Sequence, residues 1–142
     1  MGYRRQAREL AIQFLYGYEL NRKEKEDALE EFRAGRRVPE PVLRFAGELI
    51  EGVLERREEI DGRLAAHARN WKLDRMAVVD KQILRLALYE LYYRDDIPSL
   101  VTINEAVEIA KEFSTPQSGR FVNGILDRIR EELEGTGDGN DS

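Results

Sequence analysis

Apolar residues recur every three or four positions along most of the chain, the spacing of helices with one buried face. Ala7, Leu10, Ala11, Phe14 and Tyr18 predict a first helix from about Arg4 to Leu20. Ala28, Leu29 and Phe32 give a short, charged second helix, about Glu24 to Ala34. The run Val38-Pro39-Glu40-Pro41 interrupts the chain. Phe45, Ala46, Leu49, Ile50, Val53, Ile60 and Leu64 then mark one side of a long third helix, about Val42 to Ala68. Trp71 and Leu73 lead to Asp74, a residue suited to capping a helix, with Leu73 and Val78 spaced as a hydrophobic staple.

From Val78 to Tyr93 the apolar arc widens to include Val79, Ile83, Leu84, Leu86, Ala87, Leu88 and Leu91, which predicts a central helix covered on most sides. Asp95-Asp96-Ile97-Pro98 is a break. Thr102-Ile103-Asn104-Glu105 then has the form of a capping box, followed by the stripe Ile103, Ala106, Val107, Ala110 and Phe113. Thr115-Pro116 restarts the chain, with proline in a first helical turn. The last helix runs to about Leu133 on Val122, Ile125, Leu126, Ile129 and Leu133. Residues 135–142 read as a flexible acidic tail. No alternating strand pattern persists, so the chain is predicted to be all-α.

Composition agrees. Ala, Leu, Glu, Arg, Lys, Gln and Met supply 76 of 142 residues, and these are the strong helix formers. The length suits one domain or two small sub-bundles sharing a core. Cysteine is absent, which excludes disulfides, thiolate metal sites and a cysteine nucleophile. A single histidine, His67, excludes zinc sites built on several histidines, and it reads as a surface or capping residue. No apolar run approaches the 18 residues of a membrane span, and a soluble, cytoplasmic protein is expected. The net charge of −5 resides in the tail: residues 131–142 hold five acids and no base, which leaves 23 acidic and 23 basic residues in the body. Eighteen of the bases are arginine, whose planar fork suits phosphate.

No catalytic constellation, phosphate-binding loop or cofactor motif is present, so the sequence reads as a binding protein. Three helical edges stand out. On the first helix, Arg4, Arg5 and Arg8 share an arc that Ile12, Leu15 and Tyr16 continue. Guanidiniums followed by apolar groups suit a phosphate backbone beside a protein partner; an ordinary basic turn is the plainer reading. On the central helix, Lys81, Arg85, Tyr89 and Tyr92 lie opposite the apolar arc. A basic strip interleaved with aromatics suits RNA, while tyrosines packed between helices would look the same. On the last helix, Phe121 lies off the core stripe, with Gln117, Gly124 and Arg128 along its edge. A helical glycine costs about 1 kcal/mol and so suggests close approach by a neighbouring helix or a stacked nucleotide.

Four segments carry a family resemblance. They are Arg4-Arg5-Gln6-Ala7-Arg8-Glu9 with Gln13-Phe14-Leu15-Tyr16, residues 79–91 (VDKQILRLALYEL), residues 103–111 (INEAVEIAK) and residues 118–127 (SGRFVNGILD). In this order and spacing they resemble the bacterial transcription antitermination factor NusB, over about residues 3–133. The resemblance implies two packed three-helix bundles and no cofactor. It implies binding of boxA RNA in ribosomal RNA leader transcripts, a ribosomal protein partner called NusE, and entry into an RNA polymerase antitermination complex that suppresses premature termination.

Residue by residue, Arg4, Arg5 and Arg8 match the family's arginine motif for RNA phosphates. Lys81 and Arg85 match basic positions of its central helix, and Arg120 and Phe121 its basic–aromatic pair near RNA. Tyr16 and Asp80 match positions on the NusE side, and Ile12 joins them in the expected partner surface. Gln6 stands where a third arginine is common, and Gln117 where some relatives have an acid. Monomer and homodimer are both left open. Two other readings stand beside this one: a purely protein-binding helical adaptor, and the helical portion of a ribosomal RNA cytosine methyltransferase.

Overall fold

The computed structural model describes residues 2–21, 23–34, 37–68 and 75–141, with side chains to residue 135. The described residues form helices α1 (Tyr3–Asn21), α2 (Lys25–Arg33), α3 (Glu40–Glu55), α4 (Arg57–His67), α5 (Val78–Tyr93), α6 (Ser99–Phe113) and α7 (Pro116–Asp141). The all-α expectation is met. The chain divides into a first unit, residues 1–55, and a second, residues 56–142.

The first unit holds α1, α2 and α3. Ala28, Leu29 and Phe32 are buried as their spacing predicts, and so are Phe45, Ala46, Leu49, Ile50 and Val53 of α3. Phe14 joins α1 to α2 through an edge-on contact with Phe32 at 5.5 Å. On α1 the buried residues are Ala7, Arg8, Ala11, Ile12 and Leu15. The predicted stripe members Leu10, Phe14 and Tyr18 are only half-buried. The apolar arc of this helix is broad enough to be buried about either edge, and packing selects the edge containing Ile12 and Leu15.

The long helix expected over 42–68 is two helices. Arg56 leaves helical geometry at φ −114° and ψ 20° and caps α4, its carbonyl accepting from the Ile60 amide at 2.8 Å. The interruption falls in Glu55-Arg56-Arg57-Glu58-Glu59. Helical spacing from Val53 calls for an apolar residue near 56 or 57, and arginine stands at both. No side chain between Val53 and Ile60 is buried to hold the helix continuous.

The second unit holds α4 to α7. Residues 82–88 of α5 are buried on every side, as expected of a central helix, and α4, α6 and α7 all pack on α5. The predicted stripe of α7 is buried at Val122, Ile125, Leu126 and Ile129, and the helix continues past Leu133 to Asp141. The suggested cap at Asp74 and staple at Leu73 lie outside the described residues; Ala77 is the N-cap of α5.

The capping box at Thr102 is not used. α6 begins at Ser99 behind Pro98, whose carbonyl accepts from the Val101 and Thr102 amides at 3.0 and 3.2 Å. Proline ends one segment and fixes a φ suited to starting the next, so the helix starts earlier than the box implies. Thr102 is thereby turned inward, and its hydroxyl donates to the fully buried Glu90 at 2.7 Å. Phe113, expected in the core, is exposed at the end of α6, and Ile109 is buried instead.

Candidate nucleic-acid interface

In the first unit the candidates lie on α1. Arg4 is exposed, Arg5 half-buried and Arg8 buried. The guanidiniums of Arg4 and Arg8 lie 4.5 and 5.7 Å from the centre of the Phe45 ring on α3. One aromatic ring therefore organises two of the three arginines, and stacking leaves a guanidinium's edge able to donate. Arg8 is only 2% exposed, so its expected role as a surface phosphate contact is replaced by packing. Ile12 is 5% exposed and belongs to the core, not to a partner surface. Tyr16, at 39% exposure, remains on the surface.

In the second unit the basic–aromatic strip of α5 is covered by α4. Arg85, expected to meet RNA, is buried in a two-point pair with Asp61: Nε donates to Oδ1 at 2.8 Å and Nη2 to Oδ2 at 2.9 Å. Its Nη1 also reaches Gln82 Oε1 at 3.3 Å. Tyr92 lies beneath the Arg63 guanidinium and Tyr93 beneath that of Arg56, both at 4.2 Å. Tyr89 stacks on Tyr93, and the Tyr93 hydroxyl donates to Glu59. Burial pushes the Tyr93 phenol above its usual range, and the carboxylate of Glu59 adds to the rise. Burial also raises Tyr92, against the opposing effect of Arg63. The helix-packing reading of these tyrosines is the one this structure supports. Lys81, Tyr89 and Tyr92 are half-buried and keep partial access to the surface, and Arg85 is the member of the strip that is buried.

The third edge is displayed. Gln117, Arg120 and Gly124 are exposed and Phe121 half-buried on α7. A Cβ on Gly124 would meet nothing within 4 Å, so helix packing does not account for this glycine. Phe121 and Gln117 share an open groove of about 310 Å³ with Met76, Ala77, Asp80 and Ser118, where α7 and α5 both begin. Asp80, expected to face a protein partner, is 7% exposed and accepts a hydrogen bond from the Ser118 hydroxyl at 2.9 Å. Its direction is thus inward, toward α7.

Sequence reasoning missed the residues that hold these groups. Asp61, Glu59, Arg63 and Ser118 were not singled out, because no local signal marks their partners. His67 ties α4 to α7: its Nε2 lies 2.6 Å from Glu132 and its Nδ1 2.9 Å from the Arg63 carbonyl. Among the described residues, no group of three acidic or histidine side chains could hold a metal ion, and no helix is long and apolar enough to cross a membrane.

Fold and site define an all-helical protein of two units in which the candidate residues Arg4, Arg5, Lys81, Arg120 and Phe121 stand near the starts of α1, α5 and α7. The chain belongs to the NusB family, whose model matches residues 5–131. The transcription antitermination protein NusB of Trichlorobacter lovleyi is 48% identical over 129 residues, 91% of either chain. That of Myxococcus xanthus is 47% identical over 134 residues, 91% of this chain and 95% of its own. Among solved structures, NusB of T. maritima superposes with a TM-score of 0.82 at 40% identity, covering 93% of this chain and 92% of its own. A crystal structure of the antitermination factors NusB and NusE in complex with dsRNA gives 0.81 at 25% identity, covering 93% and 98%.

Proposed function

We propose that this chain is a transcription antitermination factor that binds boxA RNA together with the ribosomal protein NusE, joins the RNA polymerase antitermination complex and suppresses premature termination. The observation that carries this reading is the near end-to-end match to proteins named for antitermination, 91% of either chain in the Trichlorobacter relative. The similar structure that holds NusB, NusE and RNA together supports the choice of partners.

The RNA contacts are assigned to Arg4 and Arg5 on α1, Lys81 on α5, and Arg120 and Phe121 on α7; Tyr16 is assigned to the protein partner. Arginines neutralise phosphate, and a half-exposed phenyl ring offers a face for a base. Arg8 and Arg85 support the fold. With the body of the chain neutral, long-range attraction of RNA is weak, so modest affinity alone and tighter binding with NusE are expected.

A salt titration of binding to single-stranded boxA RNA and to a scrambled RNA, with and without NusE, tests this. Preference for boxA, enhanced by NusE, is the expected result. Equal or absent binding to both RNAs while NusE still binds would leave a protein-binding adaptor.

A further inference from the structure

Ser118 is buried between Gln117 and Arg120, two exposed residues in the first turns of α7. Its hydroxyl oxygen lies 2.9 Å from Asp80 Oδ2 on α5, 3.1 Å from Thr115 Oγ1 and 2.9 Å from Ser114 Oγ. Its backbone amide donates to Thr115 Oγ1 at 3.0 Å, which caps α7. A hydroxyl has one proton and an ionised carboxylate only accepts. The Ser118 proton therefore goes to Asp80, and the Ser118 oxygen is left to accept from the hydroxyls of Ser114 and Thr115, which lie between α6 and α7. Asp80 terminates this chain of hydrogen bonds and so sets its direction.

Two further features fix the junction. Asp80 Oδ1 is buried with no hydrogen-bond partner among the described residues, so Ser118 is the side-chain donor that meets this carboxylate. Gly119, also buried, lets α7 approach the stem of Lys111 on α6 so closely that a Cβ would stand 2.8 Å from Lys111 Cγ. Asp80 also lines the same groove as Phe121.

We propose that Asp80 is a positioning residue: through Ser118 it holds the first turns of α7 in register, and with them the Arg120–Phe121 edge. It does not itself touch a protein partner. The RNA half of this inference rests on the function proposed above; the structural half does not.

The test uses the full chain and compares Asp80→Asn, Asp80→Ala, Ser118→Ala and the double alanine variant. Asparagine keeps an acceptor oxygen for Ser118 and removes the charge. Three quantities are read: affinity for boxA RNA with NusE present, affinity for NusE alone, and amide hydrogen exchange at residues 117–121. Losing one charge-assisted hydrogen bond corresponds to about tenfold. Asp80→Ala and Ser118→Ala should each weaken RNA binding by about that factor, and the double variant should be no weaker than the worse single one. Both should speed exchange at 117–121. Asp80→Asn should restore RNA binding and exchange, and NusE affinity should hold throughout.

Loss of NusE affinity in Asp80→Asn with RNA binding retained would make Asp80 a charged partner contact and overturn the proposal. Unchanged exchange at 117–121 in both alanine variants would overturn it as well. If the unsubstituted chain shows no boxA preference, the functional reading fails, and the exchange measurement still decides whether Asp80 positions α7.

Discussion

Arg85 and Asp61 meet in a parallel, two-point ion pair across α5 and α4, with Nε–Oδ1 and Nη2–Oδ2 separations of 2.8 and 2.9 Å. The Arg85 side chain is 6% exposed and that of Asp61 24%, so the pair lies at the boundary of the core. A planar guanidinium matched to a carboxylate is the strongest form of such a contact. α4 buries only Ile60 and Leu64 along its length, so this pair and its neighbours contribute much of what attaches it.

Removing either partner leaves the other charge largely desolvated. Asp61→Ala and Arg85→Ala should each destabilise the protein by about 3 kcal/mol. In a urea-unfolding double-mutant cycle the two losses should overlap and not add. RNA affinity measured well below the melting range should be unchanged in both. A selective loss of RNA affinity in Arg85→Ala, with stability intact, would return Arg85 to the interface.

Arg4 and Arg8 share the Phe45 ring yet differ in access, and their substitutions should separate. On single-stranded RNA, Arg4→Ala should lower the slope of log affinity against log salt by about 0.7 for each phosphate it no longer neutralises. Arg8→Ala should mainly lower stability, because it removes a buried stem and a cation packed on the Phe45 ring. Equal salt slopes for Arg4→Ala and the unsubstituted chain would remove Arg4 from the RNA surface.

Much of the architecture was legible because it depends on local periodicity. α5 runs from Val78 to Tyr93, as its arc of apolar positions predicts, and the α7 stripe from Val122 to Ile129 is buried as spaced. What was not legible depends on contacts between distant segments. Thr102 fits a capping box by sequence, but Pro98 starts the helix earlier and Glu90, twelve residues back, takes its hydroxyl. Arg85 fits a basic strip until Asp61, 24 residues away, closes over it. The displayed edge at Arg120 and Phe121 was readable because it faces away from the stripe, whereas the Ser118–Asp80 link beneath it joins residues 38 apart.

The contact between Thr102 and Glu90 is buried at both ends, with Thr102 2% exposed and Glu90 fully covered. Thr102→Val keeps the side chain's shape and removes its donor. Leaving a buried carboxylate oxygen without this hydrogen bond should cost about 1–3 kcal/mol in urea unfolding. Thr102→Ser keeps the hydroxyl and should lose less. A Thr102→Val protein as stable as the unsubstituted one would show that another donor takes over at Glu90.

Phe121 decides between stacking and packing. If its exposed face carries a base, Phe121→Ala should weaken boxA binding by about 1–3 kcal/mol while Phe121→Trp retains it. An effect on melting temperature with RNA affinity unchanged would assign the ring to the groove wall alone.

Alkaline titration tests the tyrosine cluster. Burial, reinforced at Tyr93 by Glu59, raises the folded-state pKa of Tyr93, and burial outweighs Arg63 in raising that of Tyr92. A raised acid pKa means that the folded state holds the proton more tightly than the unfolded chain does. The resulting stability is complete below the unfolded phenol's value of about 10 and is lost as pH rises through the higher folded values. The phenolate absorbance of Tyr92 and Tyr93 should therefore appear above the ordinary phenol range, and unfolding by urea should become easier across that same window. Glu59→Gln should move the Tyr93 component back toward the ordinary range and leave the Tyr92 component in place. Tyr92 and Tyr93 titrating at the ordinary phenol value would show that α4 does not shield these rings in solution.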